Sequence, residues 1–176
     1  MGPQASNSAM SARLGIVEEH VSFENKHDLH GIMETFGRVA RYDDEPWGAH
    51  YSGREEVRSF YAQLLRAMPD MHIDVQRRHP SEDAIILEVV ISGRHLGTWR
   101  GLPATGRRVS FPLCGIFTFD DGNHIASEKI YYDRASVLRQ IGIFHDPESL
   151  RGRISTALAH PITMTRIVAR KILGAR

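Results

Sequence analysis

A single cysteine, Cys114, stands among the 176 residues, which excludes an internal disulfide and fits a reducing, cytoplasmic setting. Its small apolar side chain reads as a buried packing residue. No apolar run approaches the ~18 residues of a membrane span. Residues 1–9, M-G-P-Q-A-S-N-S-A, lack the basic start and apolar centre of a signal peptide and read as a disordered tail. Neither sign of charge is in excess: 22 Lys and Arg against 21 Asp and Glu leave +1, so no basic field argues for nucleic acid as a partner. The chain carries no Walker sequence, no G-x-G-x-x-G after a strand and no H-E-x-x-H, so no nucleotide, flavin or metal cofactor is expected. His20, His27 and His30 raise a metal question, but a tetrahedral site needs further ligands and no Cys/His cluster supplies them.

What is present is one domain's length of chain, enough to bury a core. Residues 10–143 read as the domain and 144–176 as a C-terminal helical extension. Leu14, Val17, Val21 and then Leu29, Ile32, Met33 and Phe36 recur at helical spacing up to Gly37, with a break at 25–28 where Asn25 or Asp28 is placed to cap the second helix. Residues 53–68 form a third helix, with Val57, Phe60, Tyr61, Leu64 and Leu65 in one stripe and Met68-Pro69 ending it. Strands follow at 71–78, 84–96, 109–119 and 124–132, the last two joined by the turn Asp120-Asp121-Gly122-Asn123. Helices first and an antiparallel sheet after them argue for an α+β fold. From Ser149 onward six Lys or Arg and no acid accompany an apolar stripe, Met164, Ile167, Val168 and Ile172. Docking on its own domain or a twin subunit is expected over contact with a membrane surface.

The stretch from Gly93 to Arg107, G-R-H-L-G-T-W-R-G-L-P-A-T-G-R, packs four glycines and a proline between two strands. Its Arg94, His95, Trp99, Arg100 and Arg107 are large groups for a mere turn. Together with F-D-D-G-N-H-I, Y-Y-D-R-A-S-V-L-R-Q-I-G and Y-S-G-R-E-E-V-R-S-F-Y before M-P-D, it resembles the SnoaL-like polyketide (ester) cyclases of the nuclear transport factor 2-like superfamily. The resemblance spans roughly residues 12 to 143. It implies a cone, a curved and mostly antiparallel sheet wrapped over about three helices, with a pocket inside and a homodimer whose partner side carries Glu88 and Arg94.

The resemblance also implies the site. Asp133 matches the family's acid/base aspartate and His95 a histidine that points into the pocket. On the residues alone, Asp133 reads equally as the N-cap of the following helix, and His95 as a satisfied core residue. Trp47, His50, Trp99, Phe117, Tyr131 and Arg94 are the expected substrate-binding residues, although Trp47 also suits plain core packing. The implied activity is cofactor-free acid/base cyclisation or isomerisation of a hydrophobic, polyketide-like carbonyl compound. Two alternatives stand beside it. One is an epoxide-hydrolase-like reaction using an Asp–Arg–Asp trio, for which Leu96 occupies the expected second Asp. The other is a non-catalytic module that holds a hydrophobic ligand.

Overall fold

A computed structural model describes residues 3–146 and 148–173. Helices α1 (Pro3–Asn25) and α2 (Leu29–Thr35) come first, then strand β1 (Phe36–Asp44), a 3-10 turn (Glu45–Trp47), strand β2 (Ala49–Ser52) and helix α3 (Arg54–Ala67). Strands β3 (His72–Pro80), β4 (Ala84–Arg94), β5 (Arg108–Phe119) and β6 (Ile125–Tyr132) follow, then helices α4 (Arg134–Gln140), α5 (Leu150–Ala159) and α6 (Pro161–Leu173). The break between α1 and α2 is capped by Asp28, whose carboxylate accepts from the backbone N–H of His30 and Gly31.

The six strands form one curved sheet in the order β2-β1-β6-β5-β4-β3. All neighbours are antiparallel except β1 and β6. Register shifts in β3, in β1 and at the end of β5 add the local bends that let the sheet curl. Across β4 and β5, Ile85 faces Phe117, Val89 faces Leu113 and Ile91 faces Phe111. This odd-numbered face looks inward onto Val17 and Val21 of α1 and Phe60 and Tyr61 of α3, forming the main core.

Two elements differ from the sequence reading. Helix α1 begins at Pro3, inside the segment expected as a tail. The helical pattern expected to reach Gly37 ends at Thr35, and Phe36 opens β1. Phe36 is buried in the core, where an apolar side chain satisfies the helical spacing and the inner face of a strand alike. Helices α5 and α6 lie beyond the cone and expose Leu150, Ile154, Leu158 and Ile162. The side chains of Ile167, Val168 and Ile172, expected in the apolar stripe of the extension, lie outside the described residues. Among the described residues no helix is long and apolar enough to cross a membrane.

Leu96 and Gly97 both donate backbone N–H groups to the carbonyl of Ala67, tying the loop after β4 to the end of α3. A Cβ at Gly97 would stand next to the Arg66 carbonyl oxygen, a backbone atom that cannot swing away. Gly97→Ala is therefore expected to lower stability by about 1–3 kcal/mol in urea denaturation. Gly15→Ala, exposed in α1 with open space around it, is expected to raise it by about 0.5–1 kcal/mol.

Candidate active site

Between α1, α3 and the inner sheet face lies a cavity of about 90 Å³, several times the ~10–15 Å³ that holds one water. Its walls are apolar: Leu87, Val89 and Ile91 from β4, Val109, Phe111 and Leu113 from β5. Polar groups reach it from two directions. Glu24 of α1 and Glu128 of β6 form one group; Asp44, His95 and Tyr132 complete the lining.

The carboxylate group is knit into a buried network. His20 Nδ1 lies 2.7 Å from Thr35 Oγ1, and that hydroxyl donates to the Ile32 carbonyl at 2.6 Å. Thr35 thus accepts from His20 Nδ1–H. Tyr61 donates its hydroxyl proton to Glu128 at 2.5 Å, and the same oxygen lies 3.0 Å from His20 Nε2. Both ring nitrogens therefore act as donors, which is the imidazolium form. Burial opposes that charge, but Glu24 at 3.8 Å and Glu128 at 3.4 Å outweigh it and raise the His20 pKa. Glu24 moves the other way from a free carboxylate. Burial, reinforced by the charge of Glu128, pushes it up to about 8 despite His20. At neutral pH the cavity thus holds a neutral carboxylic acid on Glu24.

The donor atoms of His20, Glu24 and Glu128 lie within 4.8 Å of one another, as do those of Asp43, Glu45 and His50. In the first group both imidazole nitrogens carry protons and have no lone pair for a cation. In the second, the Asp43 oxygens already accept from Arg41 and His50. His27 bonds the Met71 carbonyl instead of joining either group.

Trp99, Arg100, Gly101 and Leu102 form a tight reversal closed by paired backbone hydrogen bonds between Trp99 and Leu102. Its two central residues have φ of 53° and 77°, so Arg100 takes a left-handed conformation that side chains disfavour. The turn carries the guanidinium into a cage of Trp99, Trp47, Tyr51 and Phe60, with ring centroids 5.1, 5.4, 5.7 and 6.0 Å away. There Arg100 Nη2 donates to Asp44 Oδ2 at 2.5 Å and Nη1 to the Tyr51 hydroxyl at 2.8 Å. Burial raises the Asp44 pKa, and Arg100 restrains the rise, helped by the Trp47 backbone and the Tyr132 hydroxyl.

Of the residues singled out in the sequence, His95, Trp99 and Phe117 line the cavity. Asp133, Tyr131, Arg94, Trp47 and His50 are not among its lining residues, for reasons of strand parity and layer. Leu113 pairs with Tyr132 and Cys114 with Tyr131, so Tyr132 shares the inner face while Tyr131 is turned out and 46% exposed. Asp133 follows on the rim with a side chain 61% exposed, 3.6 Å from Arg139. It occupies the N-cap position of α4 yet makes no side-chain capping bond. Arg94 is exposed at the end of β4. His50, on β2, bonds Asp43. Trp47 stands one layer behind the wall and donates its indole N–H to the Tyr132 hydroxyl at 2.8 Å. His95 has its pKa lowered by burial, which keeps the ring neutral, and its Nδ1 lies 3.2 Å from Thr105 Oγ1. Glu24, Glu128, Asp44 and Tyr132 were not singled out in the sequence, and Arg100 was noted only as a large group in its loop. Glu24 had a signal, since it continues the Leu14–Val17–Val21 stripe of α1.

A family model, SnoaL-like polyketide cyclase, matches residues 16–141. Among curated proteins none matches the chain. Solved structures share the fold. AclR from Streptomyces galilaeus is 24% identical, with a TM-score of 0.67 over 77% of this chain and 99% of its own. A SnoaL-like protein from Jannaschia sp. CCS1 is 20% identical, with a TM-score of 0.69 over 74% and 92%. A protein of ketosteroid isomerase-like fold from Catenulispora acidiphila, solved with trimethylamine, is 23% identical, with a TM-score of 0.61 over 73% and 92%.

The raised Glu24 pKa has a sign that stability measurements read. Between the ordinary value of 4.5 and about 8, folded Glu24 holds a proton that the unfolded chain has released. Folding stability therefore falls as pH rises through that window. His20, also raised, adds a loss in the same direction. Glu24→Gln mimics the protonated acid, so its stability relative to wild type should be near zero at pH 4, below the ordinary value of 4.5. By pH 9 it should exceed wild type by on the order of a few kcal/mol. Urea denaturation at the two pH values measures the difference.

Proposed function

The chain belongs to the SnoaL-like polyketide cyclase family, and we propose that it performs cofactor-free acid/base chemistry on a mostly apolar carbonyl compound held in this cavity. The observation that carries the reading is Glu24, a buried carboxyl lining an apolar chamber, where burial raises its pKa to about 8. A group titrating close to working pH exchanges protons in both directions with little penalty. The same role was expected of Asp133, but an exposed rim carboxylate paired with Arg139 has neither the apolar surroundings nor the access.

The chemistry then needs only this chain's side chains. At pH 7 about one Glu24 in ten is ionised by a pKa one unit higher. That form takes a proton from the carbon beside a substrate carbonyl, and the electron pair moves onto the carbonyl oxygen as an enolate. The neutral His95 ring is the candidate donor to that oxygen, a role worth roughly 2–4 kcal/mol. The enolate carbon attacks a second carbonyl of the same molecule, forming the new C–C bond. The proton on Glu24 passes to the resulting alkoxide. Enclosure in the cone supplies orientation.

The epoxide-hydrolase alternative placed Asp133 and Arg94 around a water, and both lie outside the cavity lining. An amine such as the trimethylamine of the Catenulispora neighbour would compete with Arg100 for the aromatic cage. A homodimer through the outer sheet face fits the partly exposed Ile86, Val90 and Ile116 beside Glu88.

Deuterium exchange at the α-carbon of 2-tetralone in D₂O, followed by NMR, tests the reading. Wild type should accelerate exchange, with a rate that rises with pH and levels off above about 8. Glu24→Gln should cost about 10²–10⁴-fold, while Asp133→Asn should stay near wild type. Full activity in Glu24→Gln would remove Glu24 from the mechanism, and bound ketone without exchange in wild type would favour the non-catalytic binding module.

A further inference from the structure

Three buried side-chain polar atoms have no hydrogen-bond partner among the described residues: Asp44 Oδ1, His95 Nε2 and Arg100 Nε. Asp44 is 1% exposed and His95 3% exposed, and both line the cavity. Leaving a buried carboxylate oxygen unpaired costs more than leaving a neutral group unpaired. The fold nonetheless maintains it with a strained turn at Arg100 and a four-ring cage that fixes the neighbouring oxygen. The Tyr132 hydroxyl accepts from the Trp47 indole and, with the Trp47 backbone N–H, favours the Asp44 anion, yet neither meets Oδ1 at hydrogen-bond geometry. Asp44 therefore presents one oriented acceptor atom to whatever fills the cavity.

We infer that Asp44 Oδ1 is a recognition point for a neutral hydroxyl on the ligand, an alcohol, phenol or enol, at a site separate from the Glu24–Glu128 pair. The inference rests on the reading of the cavity as a small-molecule site and adds the class of ligand to it. Charge selects the donor. Asp44 and Arg100 already neutralise one another at 2.5 Å. A cationic ligand would therefore lose hydration without a free counter-charge, and an anionic one would meet a carboxylate lone pair. A hydroxyl donates into that lone pair and brings no net charge. The cage excludes the other obvious guest, since the guanidinium of Arg100 stands among its rings.

The test compares 2-naphthol with 2-methylnaphthalene, which matches its shape without the donor, by calorimetry on the full chain. Wild type should bind 2-naphthol at least about tenfold more tightly, as a hydrogen bond to a charged acceptor allows. In Asp44→Asn, Arg100 retains the amide oxygen and the amide NH₂ turns to the cavity. That variant should lose the preference for 2-naphthol and gain one for 2-methoxynaphthalene, an acceptor. Equal affinity for 2-methylnaphthalene in wild type and variant shows that the cavity is intact. If wild type binds 2-methylnaphthalene as tightly as 2-naphthol, the hydroxyl site is wrong while the cavity reading stands. A preference that survives in Asp44→Asn assigns the hydroxyl to another group and also overturns it. If neither naphthalene binds, the cavity reading falls and this inference with it. Should Asp44→Asn fail to fold, the wild-type comparison of the two ligands decides alone.

Discussion

The register between β5 and β6 decides which side chains of this protein can act on a ligand. Phe117 pairs with Glu128, Gly115 with Ile130 and Leu113 with Tyr132. Residues directly opposite in an antiparallel pair share a face, so the burial of Phe117 carries Glu128 inward with it. A slip of one residue would turn Tyr131 inward and leave Glu128 in solvent. Because β6 also pairs in parallel with β1, the same register sets the rows of Asp43 and Asp44 beside Lys129 and Ile130. One ladder thus brings the inward groups of β5, β6 and β1 to a single chamber.

Apolar walls then give those groups their chemistry. A carboxylic acid surrounded by Val21, Val89 and similar residues loses the hydration that stabilises its anion, which is why Glu24 titrates near 8. The same walls would make an unpaired imidazolium untenable, and the charge on His20 is held by the Glu128 carboxyl group and by the Thr35 and Tyr61 hydroxyls. Where a full positive charge had to approach the cavity, it came with its own anion. Arg100 meets Asp44 inside an aromatic cage, which spends the charge locally and leaves one oxygen of this cavity-lining carboxylate without a partner.

Much of this architecture could be read from residue order. The helix-then-strand succession and the break that places Asn25 or Asp28 as a cap follow from spacing alone; the structure chooses Asp28. The resemblance carried in Gly93–Arg107 pointed to the cone. What escaped were relations between distant segments. Tyr131 and Tyr132 are chemically alike neighbours, and only the hairpin register distinguishes them. Asp133 drew notice from its match to a family position, whereas its surroundings, an exposed rim and Arg139, belong to the fold. Asp44 and Arg100 lie 56 residues apart and meet only because the turn at Arg100 folds back over β1. Glu24 was partly legible, since it stands seven residues after Val17 on the buried stripe of α1.

The central claim is that an apolar chamber holds Glu24 as a neutral acid that releases its proton near working pH. A ¹³C NMR titration of the glutamate side-chain carboxyls, with the Glu24 resonance assigned by its absence in Glu24→Gln, measures this directly. The Glu24 signal is expected to titrate with a midpoint near 8. A midpoint at the ordinary glutamate value of 4.5 would contradict it and leave the cavity without its proton-transfer group.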